Sequence, residues 1–183
     1  TNMNEPYRTL VGHMRHEVGH YYWDRLIADS EWLADFRVLF GDETQDYSKS
    51  LKRYYDTGAP ADWPNGYVSE YATSHPWEDW AECWAHYMHM SDMVDTASSY
   101  GLVVDQSRLE CTPFPSDVLY QNDHPQAEKY LAFVNHWAQL TMPRPSTAFI
   151  QASKATFRGR TSSAVGTVRD MSKANHPPTE PSF

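Results

Sequence analysis

His16-Glu17-Val18-Gly19-His20 lies inside a segment, Tyr7 to about Ala28, in which Leu10, Val11, Met14, Val18, Tyr21, Tyr22 and Leu26 recur at three- and four-residue steps. That spacing is helical, and Pro6 is well placed to open the helix. Residues four apart on a helix share a face, so both imidazoles can reach one metal ion, while Glu17 beside them can reach a water on that metal. Neutral imidazole suits zinc, which makes a water usable as a nucleophile near neutral pH. A five-residue pattern with three fixed positions also arises by chance, and the chain has nine His. An ordinary helix with solvated histidines is therefore the competing reading, and a third ligand has to decide.

The stretch Ser74-His75-Pro76-Trp77-Glu78-Asp79-Trp80-Ala81-Glu82-Cys83-Trp84-Ala85-His86 supplies candidates. Pro76 in a first turn opens a long helix through about Ser98, with Gly101 as its exit. Glu78 and Glu82, one turn apart, share a face, so one can bind metal while the other accepts the second ring N–H of a ligating histidine. Among Trp80, Ala81, Trp84 and Ala85, a lone acid at position 82 would be costly to bury.

Other polar residues compete for roles. His13 lies one turn before His16 and Asp24 one turn after His20, so either can support the site from behind the ligands. His86 and His89 continue the Glu78–Glu82 face and are alternative ligands or packed polar residues. Cys83 is rotated about 100° from Glu82 on a helix and is read as a small buried apolar residue. Cys111 with nearby His124 forms no recognisable nucleophile arrangement.

Working outward, a second helix is expected from Glu31 to Phe40, with Ser30 as N-cap and Gly41 past its end. A third is expected from Glu43 to about Tyr55, where Asp42 and Gln45 approximate a capping box and Gly58 is the stop. Residues 58–70, rich in Pro, Gly, Asp and Asn, read as an ordered loop with room for a short extended piece at Tyr67-Val68. A last helix spans roughly Pro125 to Leu140, after Asp123 as N-cap. Beyond Pro143 the chain turns rich in Ser, Thr, Ala, Arg and Pro and reads as loosely packed or disordered.

An apolar share of 40% and an aromatic share of 14% allow one domain with a real core. The net charge of −9 disfavours nucleic acid and anionic membrane as partners. Residues 143–183 hold six Lys or Arg against two acids, a net +4, which leaves −13 for residues 1–142. No run is long and apolar enough for a bilayer, no secretory signal opens the chain, and two cysteines make no disulfide framework. The cytoplasm is the expected location.

Several blocks together carry a resemblance. Glu5-Pro6-Tyr7-Arg8-Thr9-Leu10 precedes Gly12 to Trp23; then come Leu39-Phe40-Gly41-Asp42-Glu43, Asp46-Tyr47, Ser69-Glu70-Tyr71-Ala72, and His75 to Glu82. In this order, over about residues 5–140, they resemble the bacterial zinc-binding metallopeptidases of the gluzincin type. The resemblance implies His16 and His20 as ligands, Glu17 as base and Glu78 as third ligand. The spacing of Tyr71, Glu78 and Glu82 is also similar to that in the catalytic domain of lethal-factor-type toxins, which implies that Tyr71 offers its hydroxyl to the developing oxyanion. The family's cysteine-rich zinc ribbon has no counterpart here, and residues 143–183 look unrelated to the family's usual ending. The chain is thus expected to be a catalytic piece of something longer.

The resulting expectation is a mainly α, zincin-like domain over residues 1–142 whose His16-Glu17-Val18-Gly19-His20 helix packs on a second ligand-bearing helix. Residues 143–183 form a divergent tail, disordered or altered in reading frame. One Zn²⁺ per chain is held by His16, His20 and Glu78, with Glu82 and Asp24 behind them and Glu17 and Tyr71 as catalytic groups. The substrate is a peptide or protein. The alternative is a non-catalytic, zinc-stabilised interaction module in which a fourth protein ligand, His86 first, closes the site.

Overall fold

The structure, a computed structural model, describes residues 9–102, 113–118 and 125–141. Its helices are α1 (Leu10–Leu26), α2 (Leu33–Phe40), α3 (Tyr47–Thr57), α4 (Pro76–Ser99) and α5 (Ala127–Thr141). One-turn 3₁₀ helices lie at Trp63–Asn65, Tyr71–Thr73 and Ser116–Val118, and there is no strand among the described residues. The domain is mainly α, as the sequence implies; Tyr67 and Val68 form no extended element, and Val68 packs instead against the core. No described helix is long and apolar enough to cross a membrane.

Thr9 starts α1 by accepting the Gly12 amide on its hydroxyl. The face that α1 buries is not its apolar one. Gly12, His16 and Gly19 are buried, whereas Leu10, Val11, Met14, Val18 and Tyr21 are exposed. Gly19 on the inner face lets α1 approach α4 closely. A Cβ at Gly19 would lie 3.0 Å from the Ala81 Cα and 3.1 Å from the Trp84 Cβ. The Trp80 indole N–H donates to the Gly19 carbonyl at 2.9 Å across this contact.

Three helix starts shift from expectation: α1 begins at Leu10 behind the extended Thr9 cap, later than the Pro6-Tyr7 start read from the sequence, and α2 and α3 also begin later. Ser30 is not an N-cap: its hydroxyl takes the Trp32 amide and donates to the Ile27 carbonyl, so it shapes the turn after α1 and α2 begins at Leu33. Asp42 likewise folds onto Thr44, accepting its amide and hydroxyl, and Asp46 caps α3 by accepting the Lys49 amide. A short Asx-turn at Asp42 competes with helix initiation there, and Tyr47 becomes the first residue of α3. Gly41 (φ 100°) and Gly58 (φ 74°) end α2 and α3 in a region that favours glycine.

His75 sets the start of α4. Its Nδ1 accepts the Trp77 amide and its Nε2–H donates to the Gln45 carbonyl, each at 3.1 Å, which ties this helix end to the chain entering α3. At 24 residues α4 serves two apolar cores. Its first half packs Trp80 and Cys83 with Ile27, Phe36, Leu39 and Phe40. Its second half packs Met90 with Phe114, Tyr130, Val134, Trp137 and Ala138, largely from α5. Arg15 clasps α1 to the middle of α4 through His89 Nδ1 (2.6 Å) and Asp92. Asp123, Cys111, His124 and the 143–183 tail lie outside the described residues.

Candidate metal centre

The site forms where the second half of α1 faces the first turns of α4. His16 and His20 sit one turn apart on α1, and Glu78 lies in the first turn of α4, where the helix dipole favours a carboxylate. His16 is 8% exposed and Glu78 1%. Glu78 Oε2 is 3.0 Å from His16 Nε2 and 3.5 Å from His20 Nε2, and the two Nε2 atoms are 3.1 Å apart. All three ligand atoms lie within 4.8 Å of one another, and among the described residues this is the group of His, Cys, Asp and Glu able to hold a metal ion. Tetrahedral zinc with bonds of about 2.0–2.1 Å places neighbouring donor atoms about 3.3–3.4 Å apart, close to these separations. Two imidazoles and one carboxylate also suit zinc by ligand type.

Two of the three ligands, His16 and Glu78, are oriented from behind. His16 Nδ1 is 2.7 Å from Glu82 Oε1, a contact that orients the ring so that Nε2 points to the centre. Glu82 Oε2 in turn accepts from the Ser69 hydroxyl at 2.7 Å, and Ser69 also takes the Ala72 amide, pinning the turn that carries Tyr71. Glu78 Oε1 accepts from the Tyr47 hydroxyl at 2.5 Å. His20 Nδ1 is buried with no hydrogen-bond partner among the described residues, against the Trp77 ring at 4.9 Å.

Electrostatics follow from this packing. Burial disfavours a charged His16, but hydrogen bonds and charge from Glu78 and Glu82 outweigh it and raise the imidazole to about 9. Burial likewise opposes ionisation of Glu78; His16, His20 and Tyr47 overcome it and hold the carboxyl well below the usual range. Glu82 is also held low, against its burial, by His16 and Ser69. Burial and the Glu78 charge push the Tyr71 phenol far up, and burial with the Glu78 hydrogen bond does the same to Tyr47. Both phenols are therefore neutral donors at any physiological pH.

The remaining sequence candidates separate. Glu17 stands on the solvent side of α1, its side chain 59% exposed and 3.7 Å from His13. The Tyr71 ring lies 6.0 Å from that of His16. Asp24 is exposed, and no hydrogen bond or ion pair joins it to the site among the described residues. His86 Nδ1 bonds the Glu82 carbonyl at 2.8 Å, and His86 is not part of the ligand group, so it closes no fourth position there. His89 serves the Arg15 clasp, and Cys83 is buried in the apolar cluster. Sequence reasoning missed Tyr47 and Ser69 as parts of the site. Their only signal was their place in the Asp46-Tyr47 and Ser69-Glu70-Tyr71-Ala72 blocks.

Comparison with known proteins agrees with this geometry. Residues 1–148 match the model of a family described as "Putative zinc-binding metallo-peptidase". Uncharacterized proteins of Mycobacterium tuberculosis and Mycobacterium bovis are each 56% identical to the chain over 101 residues, 55% of this chain and 30% of theirs. The match thus spans about 30% of the length of these relatives. No solved structure matches.

Proposed function

The chain belongs to this family of zinc-binding metallo-peptidases, and from that premise we propose that it is a gluzincin-type peptidase with one zinc per chain. The ligands are His16, His20 and Glu78. The observation that carries the reading is the convergence of His16 Nε2, His20 Nε2 and Glu78 Oε2 within 4.8 Å. A bound zinc supplies Lewis acidity toward a water and a substrate carbonyl.

The chain's own groups supply the rest. Glu17, adjacent to His16 and open to solvent, takes a proton from the attacking water and passes it to the leaving amine. Tyr71, kept protonated by its burial, donates its hydroxyl to the developing oxyanion. Glu82 holds His16 in the ligating tautomer, as hydrogen-bonded carboxylates commonly do for metal-bound histidine. The substrate is a peptide or protein. Its fit is set by the chain around residues 58–75, which brings Tyr71 to the site, and no nucleic acid or membrane takes part.

Metal content per chain, measured for wild type beside Glu78→Ala and Glu17→Gln, tests this reading. One zinc in wild type, largely lost in Glu78→Ala and retained in Glu17→Gln, is expected. A peptide-library assay should then show turnover in wild type and a loss of about 10²–10⁴-fold in Glu17→Gln. A folded wild type without metal, or an active Glu17→Gln protein, overturns it.

A further inference from the structure

Glu78 has two carboxylate oxygens in different surroundings. Oε2 faces His16 and His20, while Oε1 faces away from them and is taken by the Tyr47 hydroxyl at 2.5 Å. With Glu78 only 1% exposed, water cannot readily replace that donor. Nor is Tyr47 a chance neighbour. It is the first residue of α3, after the Asp46 cap, and the preceding Gln45 carbonyl is held by His75 Nε2. Its ring packs edge-on against His75 at 5.2 Å and Trp77 at 6.0 Å, the residues flanking Pro76 at the start of α4. Two ring contacts thus locate Tyr47, and the hydroxyl falls on the one oxygen of Glu78 that the imidazoles leave unused.

We propose that Tyr47 is a positioning residue of the metal centre: by holding Oε1 it presents Oε2 of Glu78 as a single ligand oxygen. This role rests on the metal-centre reading given above. Without the hydroxyl, Oε1 is unpaired in a buried place, and the carboxylate can turn to offer both oxygens or neither in register with the two imidazoles. Removing a partner that orients a ligand from behind typically weakens metal binding by about 10–100-fold. The two phenols thereby have different roles. Tyr47 acts on the ligand, and Tyr71 on the substrate.

The test compares zinc affinity, by competition with a chromophoric chelator, in wild type, Tyr47→Phe, Tyr71→Phe, Glu78→Ala and the Tyr47→Phe/Glu78→Ala double variant. Cobalt(II) absorption of the substituted proteins is recorded alongside. Phe keeps the ring contacts, so helix content and melting of the metal-free protein should stay near wild type. Tyr47→Phe is expected to lose about 10–100-fold in affinity and to change the cobalt spectrum. Tyr71→Phe should stay within about threefold, since a group that does not orient the ligand leaves its affinity nearly unchanged. In the Glu78→Ala background, Tyr47→Phe should add nothing, an outcome that a merely structural tyrosine would not give. Wild-type affinity and an unchanged cobalt spectrum in Tyr47→Phe overturn the role of Tyr47 alone, as does an equal loss in Tyr71→Phe. A wild-type chain that binds neither metal overturns the metal-centre reading and this role with it.

Discussion

The Trp80 indole N–H reaches across the helix interface to the Gly19 carbonyl at 2.9 Å, where α1 leaves no room for a Cβ against α4. Gly19 lies within the motif between the two ligand histidines, so the closeness that this contact requires also sets the reach from His16 and His20 to Glu78.

Gly19→Ala therefore should harm the site although alanine is the better helix former. The new Cβ would meet backbone at 3.0 Å, which cannot swing away. Overpacking costs about 1–3 kcal/mol against a gain of about 1 kcal/mol in helix propensity, leaving a net loss of up to about 2 kcal/mol. Thermal melts should show the loss, and chelator competition a weaker zinc site. A variant at least as stable as wild type with undiminished zinc affinity would contradict the close-packing role.

Glu82→Ala removes the acceptor that fixes His16. Zinc affinity is expected to fall by about 10–100-fold while Asp24→Ala, an exposed position, leaves it unchanged. Isothermal titration with zinc distinguishes the two. An equal loss in both variants would assign Asp24 a part in the site that its placement does not suggest.

Stability of the metal-free protein should fall as pH rises through the alkaline range. His16 is raised from 6.5 to about 9 in the folded chain, so its contribution is complete below 6.5 and is lost as pH climbs through about 9. Glu78 and Glu82 are depressed and contribute above about 4.5, a contribution lost on acidification. Zinc reverses the alkaline trend, because ligands must shed protons to bind it. Melting curves from about pH 5 to about pH 9, with chelator and with zinc, check the sign. A metal-free melting temperature that rises between 6.5 and 9 would refute the assignment for His16.

Tyr71→Phe should lower kcat by about 10²–10³-fold with little change in KM, the pattern for a donor felt mainly in the transition state. Steady-state kinetics on a peptide found in the library screen give the split. A rise in KM at constant kcat would instead make Tyr71 a substrate-binding group.

The helices were legible because their signals are local. Three- and four-residue spacing, Pro76 in a first turn, and Gly41, Gly58 and Gly101 at exits all act within a few residues. The same locality puts His16 and His20 on one face and Glu78 and Glu82 on another, independently of packing. Where two local signals competed, as at Ser30 and Asp42, the side-chain turn won and the helix began later.

The outward face of α1 was not legible. Leu10, Val11, Met14 and Val18 gave the helical period yet lie exposed, while Gly12, His16 and Gly19 are inside. Periodicity reports spacing along a helix; which face meets a partner depends on how closely the partner can approach, and here Gly19 permits it. The sequence by itself determined the two histidines, the carboxylates and the helices that carry them. Only the tertiary structure decided that Glu82 serves His16 across 66 residues and Tyr47 serves Glu78 across 31, because those hydrogen bonds join elements whose distance in space is not encoded by any local spacing.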